Sequence, residues 1–205
     1  MLVALKSDAY ASVLGIERPV WPVTAVVVLG FLGWFVVSHL SWIPSRTEGA
    51  LGYRLAVLIG LMLPIPVIIV DWYGGFGQAI NAPAPASLLF YPSLAVVAEL
   101  VLHVIPLAFA ATLTILFPRA ERALKVFGLG AAVVIEPILQ MMWGAELSPI
   151  WANTYVGVQL LAFNIIGVYL LRRFGILRVL IFRLSYYFVW HILWGYLRSD
   201  LLFAK

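Results

Sequence analysis

Apolar residues run along this chain in stretches of about twenty, the length that crosses a bilayer as a helix. Six such stretches stand out, at roughly residues 20–40, 52–70, 88–117, 124–143, 151–171 and 176–197. Short clusters of turn-forming and charged residues separate them: "WIPSRTEG", "DWYGGFGQAINAPAPAS", "PRAER", "GAELSP" and "RRFG". The third stretch exceeds what a bilayer needs, so it is expected to tilt or to bend at Pro92 or Pro106. The pattern predicts an all-α integral membrane protein: one domain over residues 1–205, a bundle of about six transmembrane helices. No internal repeat and no soluble domain interrupts it.

Composition agrees. Hydrophobic residues make up 64% of the 205 positions and charged residues 11%, against about 25% charged in a soluble domain. A water-soluble fold of this size cannot hide that much apolar surface, so the first partner is the lipid bilayer. With no cysteine, disulfides, thiolate ligands and cysteine nucleophiles are excluded. The first span lacks a cleavage pattern and is expected to stay in the mature chain. Residues 1–16 are a weak candidate for an interfacial segment.

The net charge of +4 is a topology signal and implies no nucleic-acid partner. Arg46, Arg54, Arg119, Arg122, Lys125, Arg172, Arg173 and Arg178 follow spans 1, 3 and 5, against Lys6, Arg18, Arg198 and Lys205 on the other side. The positive-inside rule makes the first group cytoplasmic, with both termini outside and the plasma (inner) membrane as the location. Trp42, Trp72, Trp143, Trp151 and Trp194 fall near span ends, as interfacial anchors do.

Ionisable groups at membrane depth cost about 2.5–3.5 kcal/mol each and by default mark function. Glu99 and His103 lie four apart in span 3, Glu136 and Gln140 four apart in span 4, and Arg183, Tyr187 and His191 form an i, i+4, i+8 stripe in span 6. Each set shares one helix face. At 1.5 Å per residue, Glu99, Glu136 and His191 fall roughly 8–17 Å in from the outer side. Arg183, closer to the cytoplasmic side, is expected to snorkel, and His39 lies at the wrong end to join. The stripes are expected to converge, with Glu99, His103, Glu136 and His191 within about 4–6 Å of one another, the range over which charges strongly perturb each other.

Two chemistries suit such a set. His103, His191 and Glu136 are ordinary ligands for a divalent metal such as zinc, with water in the open position. Glu99, Glu136 and His191 are candidate catalytic groups for activating water. Gln140, Arg183, Tyr187 and Asn164 would line the site, although single amides such as Asn164 and Gln159 more often glue spans together.

Residues 90–197 carry three segments whose order and spacing match a family pattern. "AELVLH" is similar to an EExxxR motif, with Glu99 at the second Glu, Ala98 in place of the first and His103 in place of Arg. "EPILQ" sits where FxxxH is expected, with Glu136 for Phe and Gln140 for His. "RRFGILRVLIFRLSYYFVWH" resembles the segment carrying HxxxN or HxxxD: Arg183 stands for its His, Tyr187 for its Asn or Asp, and His191 falls one turn further on. In these features the chain resembles the CPBP family of intramembrane endopeptidases, which includes type II CAAX prenyl proteases and Abi proteins. The resemblance implies a water-activating Glu/His site acting on a peptide or membrane-protein substrate, with the loop at 71–87 flanking its access route. Only Glu99 carries over unchanged. The alternatives are a non-catalytic membrane scaffold or a cofactor-binding subunit of a partner complex, haem or pigment included, and a small proton-coupled carrier with Glu99 and Glu136 as relays.

Overall fold

The computed structural model describes residues 20–43, 49–77, 80–144 and 148–203, with side chains from residue 23 onward. The possible interfacial segment at 1–16, Arg46 and both chain ends lie outside the described residues. Among the described residues there are six helices and no strand. They are α1 (Val20–His39), α2 (Gly49–Trp72), α3 (Ser87–Leu116), α4 (Pro118–Gly144), α5 (Ile150–Phe174) and α6 (Ile176–Leu202). Helices α2 to α6 are each long and apolar enough to cross a membrane, and α1 contributes a shorter apolar helix over Val23–His39. The fold is an all-α membrane bundle.

α3 and α6 form its centre. α3 packs against α1 on one side and α4 on the other, α4 packs against α5, and α6 contacts α2, α5 and α3. Small side chains fill the interior: Ala56, Ala95, Ala110, Ala111, Ala132 and Ala152 are fully buried. Large apolar side chains also cover the outside, with Phe35, Leu58, Ile115, Met142 and Ile165 all more than half exposed, while Phe163, Phe182 and Trp190 are buried. This is the arrangement of helices that associate in lipid, where close backbone approach rather than apolar burial drives packing. Gly60 shows the closeness required. A Cβ there would lie 2.6 Å from the Phe182 carbonyl oxygen and 2.7 Å from Ser185 Cβ, so only glycine lets α2 meet α6.

Several boundaries differ from the sequence expectation. The break at "PRAER" narrows to Phe117, after which a 3₁₀ turn at Pro118–Ala120 runs directly into α4. α5 continues through Arg172 and Arg173 to Phe174. The chain reverses at Gly175 alone, whose φ of 85° is the left-handed conformation that glycine adopts at no steric cost. In α3 the irregularity is a π-helical turn, Leu100–Val104, just ahead of Pro106. Proline has no N–H for the Leu102 carbonyl one helical turn back and its ring crowds that carbonyl, which a wider turn relieves. A second π turn, Phe188–Trp194, interrupts α6. α2 breaks at Leu63, before Pro64 and Pro66. There the Leu63 carbonyl accepts from Gln159 Nε2 of α5 at 2.7 Å, so Gln159 is interhelical glue.

The tryptophan belt also needs one correction. Trp72, Trp143 and Trp151 are about half exposed, as anchors should be, but Trp194 is only 6% exposed. Its indole N–H donates to Asp71 Oδ2 at 2.6 Å.

Candidate functional site: a Glu–Arg–Glu bridge between three helices

One face of α6 carries the polar groups of the interior. Arg183, Tyr187, His191, Trp194 and Arg198 follow one another at spacings of three or four residues, so they share that face over about 22 Å. They enter three hydrogen-bonded clusters, the first two touching where the Tyr187 ring meets His191 edge-on, with centroids 4.9 Å apart.

The deepest cluster centres on Arg183, which is 1% exposed. Its Nε donates to Glu99 Oε2 of α3 at 2.6 Å. Its Nη1 and Nη2 donate to Glu136 Oε1 and Oε2 of α4, both at 2.9 Å. Nη1 also reaches the Tyr187 hydroxyl at 3.3 Å. The guanidinium lies over the Phe163 ring, 4.7 Å from its centroid. Four of its five N–H groups thus have an acceptor, in the planar forked geometry that makes arginine the preferred partner of buried carboxylates. Glu99 and Glu136 are themselves 2% and 5% exposed. The snorkelling expected of Arg183 does not occur: a long cationic side chain leaves for the interface only when nothing inside neutralises it, and here two carboxylates do.

His103 sits in the first π turn, 1% exposed. Its Nδ1 lies 3.0 Å from Glu99 Oε1, and among the described residues neither ring nitrogen makes a hydrogen bond. Glu136 is fully committed to Arg183, whereas Glu99 keeps Oε1 open toward this imidazole.

His191 does not join the bridge. Its Nδ1 contacts Asn81 Oδ1 at 2.7 Å, and its ring stacks on Tyr91 with centroids 4.2 Å apart. The Tyr91 hydroxyl donates to Asn81 Oδ1 at 3.3 Å and accepts from the Ala82 N–H at 2.8 Å. Asn81 comes from the loop between α2 and α3, which the side-chain pattern of the spans leaves out. Of the four groups expected to converge, Glu99 lies against His103, Arg183 joins Glu99 to Glu136, and His191 pairs with Asn81 instead.

Gln140 is exposed. Pro137 inside α4 has no N–H for the Val133 carbonyl one turn back, and Gln140 does not share the buried face of Glu136. Asn164 is fully buried and donates to the Val133 carbonyl at 3.2 Å; it ties α5 to α4 outside the bridge.

The third cluster escaped the sequence reading. Asp71, at the end of α2, takes Arg198 Nε on Oδ2 and Nη2 on Oδ1, each at 2.7 Å, together with the Trp194 indole. Arg198 also donates to the Gly77 and Phe76 carbonyls at 3.2 and 3.3 Å. The loop expected to flank an access route is thus fastened onto the end of α6. Extending the α6 stripe from His191 by three and then four residues would have found Trp194 and Arg198.

The metal expectation does not fit this geometry. Of its three proposed ligands, Glu136 spends both oxygens on Arg183 and His191 belongs to another cluster. Among the described residues no group of three or more His, Asp or Glu is arranged to hold a metal ion. What the bridge does chemically is join α3, α4 and α6 through one always-protonated guanidinium. No protein-family model matches the chain, and no curated protein or solved structure is significantly similar to it.

Proposed function

We propose that this chain is a non-catalytic membrane scaffold, a divergent relative of the CPBP proteases in which an internal ionic bridge fills the place of the hydrolytic site. Its part is to hold or position another membrane component in the plasma membrane, with the arginine-rich loops after spans 1, 3 and 5 cytoplasmic and both termini outside by the positive-inside rule.

The observation that carries this reading is the occupation of both glutamates by Arg183. A general base must offer a lone pair to the water it activates. Both Glu136 oxygens already accept from Arg183, and so does one of the two Glu99 oxygens. Arg183 stands where the family pattern has a histidine, and a guanidinium cannot accept a proton from water in this pH range. The four residues assigned to the pattern as Glu99, Glu136, Arg183 and Tyr187 come from three helices and are joined by hydrogen bonds, which supports the resemblance in architecture. Gln140, at the second motif's histidine position, faces outward, which argues against inherited catalysis.

A second reading, a rebuilt hydrolase, draws on one observation: Glu99 Oε1 lies 3.0 Å from a buried imidazole whose nitrogens are uncommitted. A Glu99–His103 dyad has the composition of a general base.

The two readings separate in one assay. The chain in lipid nanodiscs is incubated with a library of membrane peptides, and products are followed by mass spectrometry for the native sequence, Glu99→Gln and His103→Ala. The scaffold predicts no product that depends on either residue. Cleavage by the native chain that disappears in both variants, with both still folded, would establish the hydrolase instead.

A further inference from the structure

At the end of the bundle away from Asp71 and Arg198, a groove of about 340 Å³ is lined by Glu121, Arg122, Lys125, Val126 and Leu129 of α4 and by Arg172 of α5. A neighbouring depression on the far side of Arg122 adds Arg119 and Phe127.

Charge in the groove is one-sided. The Glu121 carboxylate lies 3.4 Å from Lys125 Nζ on the same helix face, so these two compensate each other. Arg122 and Arg172, both exposed and on different helices, line the same depression, and no other carboxylate lines it among the described residues. Two guanidiniums brought together from separate helices repel each other unless an anion lies between them. A phosphate group suits them best, because its oxygens match the forked donors of arginine.

The groove also changes character with depth. From Arg122 to Leu129 is seven residues, about 10 Å along the helix, enough to cross one headgroup layer of roughly 5–8 Å and enter the hydrocarbon. Over that distance the lining passes from cationic to apolar, and Val126 and Phe127, 66% and 58% exposed, continue into the lipid-facing surface. A free phosphate needs only the rim. A molecule with a phosphate at one end and hydrocarbon at the other uses both parts. Basic pockets between transmembrane helices are a known place for anionic headgroups.

We propose that this groove is a binding site for an anionic phospholipid, with Arg122 and Arg172 on the phosphate and an acyl chain along Val126 and Leu129.

The test uses the full chain in nanodiscs containing phosphatidylglycerol and phosphatidylcholine in equal amounts, with the lipid retained on release read by native mass spectrometry. The native chain retains phosphatidylglycerol preferentially. Arg122→Gln and Arg172→Gln each lower that preference about fivefold, the equivalent of about 1 kcal/mol per basic residue at a membrane surface. Both arginines are exposed, so the variants should fold, and an unchanged melting temperature checks this. Arg173→Gln, next to the groove but outside its lining, is the control and keeps the preference. Three results overturn the proposal: no preference in the native chain, full preference in the Arg122→Gln/Arg172→Gln double variant, or displacement of the lipid by millimolar inorganic phosphate, which would make the site one for a free anion.

Discussion

Arg183 and Glu136 meet through two parallel hydrogen bonds of 2.9 Å, one to each carboxylate oxygen, across the interface of α6 and α4. A third hydrogen bond from the same guanidinium, 2.6 Å to Glu99, brings in α3. Removing the cation strands two carboxylates in a low-dielectric interior. Arg183→Met should therefore destabilise the bundle by about 3–5 kcal/mol, measured by unfolding in detergent micelles. Arg183→Lys should recover little, because a point charge cannot fork to both glutamates. The triple variant Glu99→Gln/Glu136→Gln/Arg183→Met should regain much of the loss, since it leaves no unpaired charge where the bridge was.

The Asp71–Arg198 pair predicts a second fastening, independent of the first because the two share no partner. Asp71→Asn removes the carboxylate charge paired with the buried Arg198 guanidinium, so a loss of about 3 kcal/mol is expected. Trp194→Phe removes one hydrogen bond to a charged acceptor and should cost about 1.5–3 kcal/mol. Limited proteolysis in the loop following α2 should rise in Asp71→Asn and stay at the native level in Arg183→Met.

Close helix packing makes a contrasting pair of glycine substitutions. Gly60→Ala drives a methyl group into the backbone of α6 at Phe182 and should destabilise by about 1–3 kcal/mol. Gly130→Ala meets nothing within 4 Å and should be neutral or stabilising by up to about 1 kcal/mol, from helix propensity. Thermal melts of the two proteins in one detergent compare them directly.

Gln140 separates architecture from inherited chemistry. It occupies the position of a catalytic histidine in the family pattern, yet its side chain is exposed. Gln140→Ala should change stability by no more than about 0.5 kcal/mol. Gln140→His should confer neither zinc binding nor cleavage, as read by metal analysis and the peptide-library assay.

Much of this was legible in the sequence, for physical reasons that also mark where legibility ends. The bilayer fixes helix length, so the starts and ends of most spans fell within a few residues of the observed helices. Spacing along one helix brought Glu99 together with His103, and Arg183 with Tyr187, but not Glu136 with Gln140, which is exposed beyond Pro137. Pairings between helices are another matter. Nothing in the local pattern says that Arg183 is held by two glutamates rather than leaving for the interface, because that depends on which helices touch. His191 was misassigned for the same reason: its partner, Asn81, sits in a connecting loop where polarity carries no signal. Asp71 and Trp194 looked like residues of the membrane surface because they lie at span ends, and only the fold brings them together with Arg198.

The account turns on whether Arg183 and Glu136 are coupled as tightly as their geometry requires. A double-mutant cycle with Arg183→Met, Glu136→Gln and the combined variant, read as unfolding free energy in one detergent, measures that coupling. A closed ionic bridge predicts an interaction of about 2–3 kcal/mol, the upper part of the range for residues sharing one network. Additive effects, with an interaction below about 0.5 kcal/mol, would contradict it and leave Glu136 available for other chemistry.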